Sequence, residues 1–334
     1  MESKKKVSIT DVARRAGVSI TTVSRVINNV PTVDPKNRAK VEEAVAHLKF
    51  KPNVSAQRLA RGTTNAVGLV MPGYPGIFYS FYAIELIRGV GHACETLKLD
   101  MVFHIASAYN PINSTNVGGI IFADIIENRK QVEAALEEDI PCVVINNVVE
   151  DLNVSYIAID NIKGACMAVE YLVNLGHKKI ATITGSMSTQ SGAHRLEGYQ
   201  QTLKKKNIPL REEYIFKGDY SRRCARQATE QFLVLKDRPT AIFVASDDMA
   251  MEAITVVMEN GLKIPEDISI IGFDDNPNGL YGPVSLTTIR QPLFKMAEEA
   301  VRYVHSRVAG KKSSPIKMML NSELVTRESC ASPR

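Results

Sequence analysis

The sequence predicts a two-part protein. A small all-α helix-turn-helix headpiece with a hinge helix is followed by an α/β core of two doubly wound parallel-sheet subdomains. Three observations carry this reading. Residues 8–48 place their apolar side chains at helical spacing. From Ala66 onward, short β-rich apolar runs alternate with helical periods. Charge divides between the same parts: residues 1–62 hold 13 Lys/Arg against 5 Asp/Glu, and the other 272 hold 28 against 31. A basic module on a mildly acidic body directs the N-terminus towards a polyanion. A chain of 334 residues, 45% hydrophobic, suits two or three domains with a sizeable core.

The first helix starts at Ser8, an N-cap, with Asp11 where a capping-box acid belongs. Ile9, Val12, Ala13 and Ala16 form its apolar stripe, and Gly17 can take the left-handed conformation that ends it. Ser19 caps a second helix with an inner face of Val23, Val26 and Ile27. Thr21, Ser24, Arg25 and Asn28 project from its other side, a small polar face that suits base edges in a major groove. Asp34-Pro35 starts a third helix to about Leu48, with Val41, Ala44, Val45 and Leu48 inward. Pro52 interrupts the chain, and Asn53 can cap a short helix to Arg61 closed by Gly62. Eight residues are too few for a stable isolated helix, so this one needs a partner.

In the body, the runs 66–71, 100–105, 118–123, 141–146, 156–160, 179–184, 241–246, 268–274 and 286–289 read as strands. Helical periods fill 82–98, 163–175, 193–207, 222–235, 248–261 and 292–308. Continuous apolar strands separated by helices imply parallel sheets covered on both faces. Their number implies two subdomains, with a ligand between them outside the carboxyl ends of the strands. The five cysteines form no C-x-x-C pair and fit buried thiols in a reducing compartment. The N-terminus has no apolar signal region and no 18-residue apolar run occurs, so a cytoplasmic location is expected and a membrane partner is not.

Enzyme motifs are missing. The chain has no P-loop, no H-E-x-x-H, no G-x-S-x-G elbow and no G-x-G-x-x-G opening a helix. Its six histidines are scattered, against a metal cluster. No enzymatic activity, cofactor or metal is expected.

The segments VSITDVARRAGVSITTVSRVIN, VDPKNRAKVEEAVAHLKFKPN and SAQRLARG resemble the headpiece and hinge of LacI/GalR-family transcription regulators. The body follows in the family's order: VGLVMP, IAIDN, LGHKKIATITG, RLEGY, GDY, PTAIFVASDDMA, GLKIPEDISIIGFDD and LTTIRQP. The resemblance covers nearly the whole chain. It implies a core like periplasmic sugar-binding proteins and a homodimer, or a tetramer, on a pseudo-palindromic DNA operator. It also implies an allosteric small-molecule effector, here a sugar, and most simply a repressor. A sugar-binding protein without a regulatory role is the alternative.

Carried over residue by residue, the resemblance places base reading at Ile20, Thr21 and Arg25. Thr21 and Arg25 agree with the helical projection. Ile20 projects within about 20° of Ile27, so it either covers the core or reaches a thymine methyl. Ser8, Thr10, Ser19, Thr22, Ser24 and Asn28 would position phosphates. Leu59 would be a minor-groove wedge, with Ala56 in close approach. Effector-facing positions fall on Asp160, Arg195, Tyr220, Ser246 and Asp274. The implied domains are 1–52, 53–62 and 63–334. The last divides into an N-subdomain of about 63–160 and 291–318 and a C-subdomain of about 161–290 and 319–330.

Two features depart from the family pattern. Tyr74, Phe78, Tyr79, Phe81 and Tyr82 crowd the loop after the first core strand, either as packing or as an aromatic pocket wall. Only Ser107 to Val117 separates two strands where relatives place a helix, and Pro111 with INSTN predicts a shortened crossover. Arg302 and Arg307 could present a basic face to a phosphorylated carrier protein, but a solvated helix face is the expected role.

Overall fold

The structure, a computed structural model, describes residues 8–27, 32–48, 50, 64–73, 77–106, 111–126, 128–310 and 314–334. The chain divides into two units, Met1–Asn65 and Ala66–Arg334. Asn28, the 53–62 segment with Ala56 and Leu59, and Tyr74 lie outside the described residues.

The first unit contains α1 (Ile9–Ala16), α2 (Ile20–Ile27) and α3 (Pro35–Leu48). Ser8 and Asp11 form the reciprocal capping box, and Gly17 ends α1 at φ 64°. The Asp34 carboxylate accepts from the Lys36 and Asn37 amides and so caps α3. Val12, Ala13, Ala16, Val23, Val26, Val41 and Ala44 are buried together, with Ile9, Val18, Ile27 and Phe50 packed around them. Each helix is too short to persist alone, so this shared core holds all three.

The second unit has two six-stranded sheets. The first uses β1 (Ala66–Met71), β2 (Asp100–Ile105), β3 (Gly119–Phe122), β4 (Cys142–Ile145), β5 (Ser155–Ile159) and β11 (Lys317–Leu320), in the order β11-β5-β4-β3-β1-β2. The second uses β6 (Ile180–Ile183), β7 (Ile215–Phe216), β8 (Ala241–Val244), β9 (Ser269–Asp274), β10 (Thr287–Arg290) and β12 (Glu323–Val325), in the order β12-β10-β9-β8-β6-β7. The helices are α4 (Phe81–Leu97), α5 (Arg129–Glu137), α6 (Asn161–Asn174), α7 (Gln190–Lys205), α8 (Arg222–Leu233), α9 (Asp247–Glu259) and α10 (Leu293–Val308). Between the sheets the chain crosses three times: from β5 to α6, from β10 to α10, and from β11 to β12. One apolar cluster is continuous through both sheets, joining Leu69, Leu86 and Ile145 to Leu172, Phe243 and Phe273.

Two differences from the sequence reading have physical causes. β12 pairs antiparallel with β10, so the second sheet is not wholly parallel. β7, β11 and β12 are short edge strands with exposed or half-exposed residues, so they carry no continuous apolar signal. The crossover from β2 to β3 is short, as the sequence predicts. Its described part contains one 3₁₀ turn, Ser114–Asn116. Val117 and Ile112 pack over the sheet there, and Gln131 Oε1 accepts the Ile112 amide at 3.1 Å.

Candidate functional site

In the headpiece, burying Val23 and Val26 turns the opposite side of α2 outward. Thr21 and Arg25 are exposed, and Thr22 and Ser24 are half-buried. Ile20 is 48% exposed, so it does not cover the core as one reading of its projection allowed. Val12, Val23 and Val41 already fill that space. Ser19 caps α2, its hydroxyl accepting from the Thr22 amide at 3.1 Å and lying 2.9 Å from the Thr22 hydroxyl. The Ser8 hydroxyl is likewise committed to Asp11, while Thr10 is exposed. These caps set two helix N-termini, each with backbone N–H groups able to meet an anion.

In the second unit, polar residues meet where β9 and β10 end. Arg195, on α7, is almost fully buried. Its Nε donates to Asn161 Oδ1 at 2.9 Å and its Nη1 to the Ala245 carbonyl at 2.6 Å. Its guanidinium lies 3.7 Å from the Phe273 ring centroid and 3.8 Å from Asp274 Oδ1. Gln291 Nε2 donates to the same Asp274 oxygen. Asp247, at the start of α9, accepts from the Thr288 hydroxyl at 2.6 Å and the Asn276 amide at 2.7 Å. Gly272 permits this approach, because a Cβ there would sit 2.1 Å from Asp247 Oδ1.

Burial pushes the Asp247 and Asp274 carboxyls well above the usual range. The charge of Asp274 raises Asp247 further, whereas Arg195 and Gln291 oppose the effect on Asp274. Burial works against the neighbouring Asp275 too, but hydrogen bonds from Arg290 and Arg327 hold its carboxyl below the ordinary value. Adjacent carboxylates thus keep different proton affinities because only one of them has two cationic partners.

The five effector-facing positions implied by the resemblance do not all play the same structural part. Arg195 and Asp274 meet directly. Ser246 is buried and caps α9 through the Met249 amide at 3.4 Å. Asp160 is exposed and caps α6 through the Lys163 amide at 2.8 Å. Tyr220 is half-buried, with its hydroxyl 3.0 Å from that of Ser191. Gly185 leaves room for that ring, since a Cβ at 185 would overlap it at 2.0 Å.

Sequence reasoning missed Asn146, Asn161, Gln190, Asp247 and Gln291. Asn146 and Gln291 directly follow strands, where a strand-end rule could have found them. Both are over nine-tenths buried, at 7% and 6% exposure, and their side-chain oxygens have no hydrogen-bond partner among the described residues. Strain gathers here as well. Asn146, Tyr220, Asp274 and Asp275 have φ of 66°, 69°, 134° and 63°. The other non-glycine residues with positive φ among those described, Lys98, Asp139 and Asn207, follow helix ends, where a left-handed residue is ordinary. Backbone strain away from helix ends is concentrated at functional sites in proteins generally.

The aromatic loop splits. Phe78 is 55% exposed, with its ring centroid 5.7 Å from that of Phe103 in a tilted arrangement, and Tyr79 is 88% exposed. The half-buried Tyr82 donates its hydroxyl to the Ala123 carbonyl. Phe81 donates its backbone amide to the Asp248 carboxylate, tying α4 to α9. A second tie joins Gln190 on α7 to Val148. Gln190 Oε1 accepts the Val148 amide at 2.8 Å, and Nε2 donates to its carbonyl at 3.1 Å. On α10, Arg302 lies 3.9 Å from Glu298. Among the described residues no group of three His, Cys, Asp or Glu side chains could hold a metal ion. No described helix is long and apolar enough to cross a membrane.

Residues 8–53 match the family model of bacterial regulatory proteins of the lacI family, and residues 169–330 match a periplasmic binding protein-like domain. The chain is 34% identical to the HTH-type transcriptional regulator DegA of Bacillus subtilis (strain 168), over 97% of this chain and 98% of that protein. The structure of the lac repressor dimer bound to operator and the anti-inducer ONPF aligns with a TM-score of 0.83 at 28% identity, over 98% of this chain and 100% of that one. The transcriptional regulator CelR–cellobiose complex aligns at 0.71 and 28% identity, over 97% of this chain and 100% of that one.

Proposed function

Because the chain belongs to the LacI family of bacterial regulatory proteins, we propose that it is an operator-binding repressor, working as a homodimer under the control of a sugar held between its two sheets. The observation that carries this reading is the outward face of α2, with Thr21 and Arg25 exposed opposite a filled core. One such face spans too few bases to specify a site, so two copies on an inverted repeat are needed. Arg25 reads guanine, Thr21 and the exposed Ile20 make the remaining base contacts, and Ser8, Thr10, Ser19, Thr22 and Ser24 hold phosphates. Asn28, Ala56 and Leu59, outside the described residues, keep their proposed phosphate and minor-groove roles.

In the core, Arg195, Asp274, Ser246, Tyr220 and Asp160 belong to the effector site, joined by Asn146 and Gln291. The effector shifts a two-state balance between subdomain arrangements, and the dimer passes this to the headpieces. Such coupling is reciprocal. The protein performs no chemistry on its effector, requires no cofactor and acts in the cytoplasm.

A mobility-shift assay with an inverted-repeat duplex selected from random sequence tests the reading. Arg25→Ala is expected to lose roughly 1–3 kcal/mol of discrimination at one base pair in each half-site. Leu59→Ser is expected to weaken operator binding sharply. Affinity should fall steeply with salt. A chain that retards no duplex would remove the regulatory reading and leave a sugar-binding protein.

A further inference from the structure

We propose that the strand-start end of the second sheet carries a second small-molecule site, which takes the phosphate group of a small phosphate monoester. The inference goes beyond the effector reading and does not rest on it.

The first argument is position. A cavity of about 390 Å³ opens at this end of the sheet, a size that suits a small molecule. Lys179 directly precedes β6, Pro239 and Thr240 precede β8, and Asp267 lies just before β9. The proposed effector residues Ser246 and Asp274 stand at the other ends of β8 and β9. At about 3.3 Å per residue, the six residues of β9 keep the two places roughly 15–20 Å apart.

The second argument is charge. Lys179, Lys236 and Arg238 line the cavity, together with the carboxylates of Asp237 and Asp267. Arg211 is a fourth cation, bound to Asp237. The Asp237 charge is already engaged from both sides, because Lys179 Nζ lies 2.9 Å from one oxygen and Arg211 binds the other. Those two bonds hold its carboxyl below the ordinary value. Asp267 Oδ2 accepts the Lys263 amide at 2.8 Å. Arg238 is half-buried, yet it has no hydrogen bond or ion pair among the described residues, and neither has the exposed Lys236. A helix end draws cations only over its last turn. The preceding helix, α8, ends at Leu233 and Arg238 lies further along the loop, so the helix does not account for it. A half-buried guanidinium without an acceptor has given up part of its hydration for nothing in return. Its planar fork matches two phosphate oxygens, and a lysine beside it adds a point charge. Four cations against two carboxylates favour a ligand with two negative charges, as a phosphate monoester has near neutral pH.

The third argument is preorganisation. Tyr214 donates its hydroxyl to the Asp237 carbonyl at 2.6 Å, and the Thr240 amide donates to the Lys179 carbonyl at 2.8 Å. Pro239, between them, is buried. The loop that carries Lys236 and Arg238 is therefore fixed before any ligand arrives. The half-buried Leu233 and Leu235 give the cavity an apolar side. That side suits the carbon part of an ester, which inorganic phosphate lacks.

The test is isothermal titration of the full chain, its headpiece saturated with the selected duplex, against inorganic phosphate, glycerol 3-phosphate and AMP. Glycerol and adenosine are the uncharged controls. At least one ester should bind, and bind more tightly than inorganic phosphate and than its own control. Arg238→Gln should weaken that ester about tenfold or more, the loss of one charge-assisted hydrogen bond. The same variant should retard the duplex and unfold in urea as the unaltered chain does. Asp267→Asn keeps an acceptor for the Lys263 amide and removes a repelling charge, so it should tighten the ester severalfold. No heat from either ester would overturn the inference. Unchanged ester binding in Arg238→Gln would overturn it too, by placing the phosphate elsewhere on the chain. Inorganic phosphate binding more tightly than both esters, or a control binding as tightly as its ester, would overturn the assignment to a monoester.

Discussion

β9 begins and ends in a buried polar cluster, and the two clusters differ in kind. At its start, Ser269 meets His177, whose Nδ1 is 2.9 Å from the Thr240 hydroxyl and whose Nε2 is 2.9 Å from the Ala331 carbonyl. Ser269 also accepts the Ala331 amide at 3.0 Å, so the C-terminal segment is stitched to the sheet. With Nε2 donating to Ala331 and Nδ1 accepting from Thr240, each group there has a partner. At the strand's far end, Asp274 has a positive φ and a raised proton affinity, and it is bound by Gln291, whose Oε1 has no partner among the described residues. The same strand thus carries a satisfied cluster that stabilises the fold and one with an unpaired buried oxygen, where the effector is proposed to bind. Burial alone does not distinguish them. Hydrogen-bond completeness and backbone strain do.

The comparison breaks most visibly at Arg195. Arg195→Met should remove the cation from a buried carboxylate at a cost of roughly 3–5 kcal/mol and abolish effector binding, as read by urea denaturation and titration. Unchanged stability would mean that Asp274 is already neutral in the folded protein. His177→Ala strands the partners at the other end and should cost about 1–3 kcal/mol. Effector affinity should stay as it was; a loss of affinity would show that the two ends are coupled.

Acid should act on the two ends with opposite sign. Burial lowers the proton affinity of His177, against a smaller opposing effect of its bond to Ala331. The unfolded chain then binds more protons than the folded one, so this term destabilises as pH falls through the ordinary histidine value of 6.5. The Asp247 and Asp274 carboxyls are shifted upward, so the folded chain binds more protons there. Their term gains stability as pH falls from neutral towards 3.8. Urea midpoints against pH should show a shallower acid loss in His177→Gln and a steeper one in Asp274→Asn. A parallel shift of both curves would refute the division.

Gln190→Ala removes the paired bonds to Val148 and should cost about 1 kcal/mol. If closure is cooperative, amide exchange should rise at Phe81 as well as at Val148; exchange confined to Val148 would make the tie a local one. The smallest effect belongs to Asn146→Gly. Glycine accepts the positive φ without strain, so stability should move by less than about 1 kcal/mol, although effector affinity falls.

The sequence made the headpiece legible because its signals are local. Caps at Ser8, Ser19 and Asp34, the stop at Gly17 and the helical spacing of Val12, Val23 and Val41 all act within a few residues of chain. Thr21 and Arg25 were placed outward by the same period, but the exposure of Ile20 depended on how three helices share one core. In the body, the long apolar strands announced themselves, whereas β7, β11 and β12 did not, because edge strands bury little. Arg195 and Asp274 came from the family resemblance, and nothing in their spacing links them.

By itself, then, the sequence determined the order of the long apolar strands, the inner and outer faces of the headpiece helices, and the shortened passage from β2 to β3. These follow from side-chain periodicity and from the conformations open to Gly, Pro and capping residues. Only the tertiary structure decided that Arg195 lies against Asp274, that Gln291 is held by the same carboxylate, and that the side-chain oxygens of Asn146 and Gln291 have no partner among the described residues. Those outcomes depend on which strand ends meet when the two sheets come together, and on which buried groups the packing leaves without a partner.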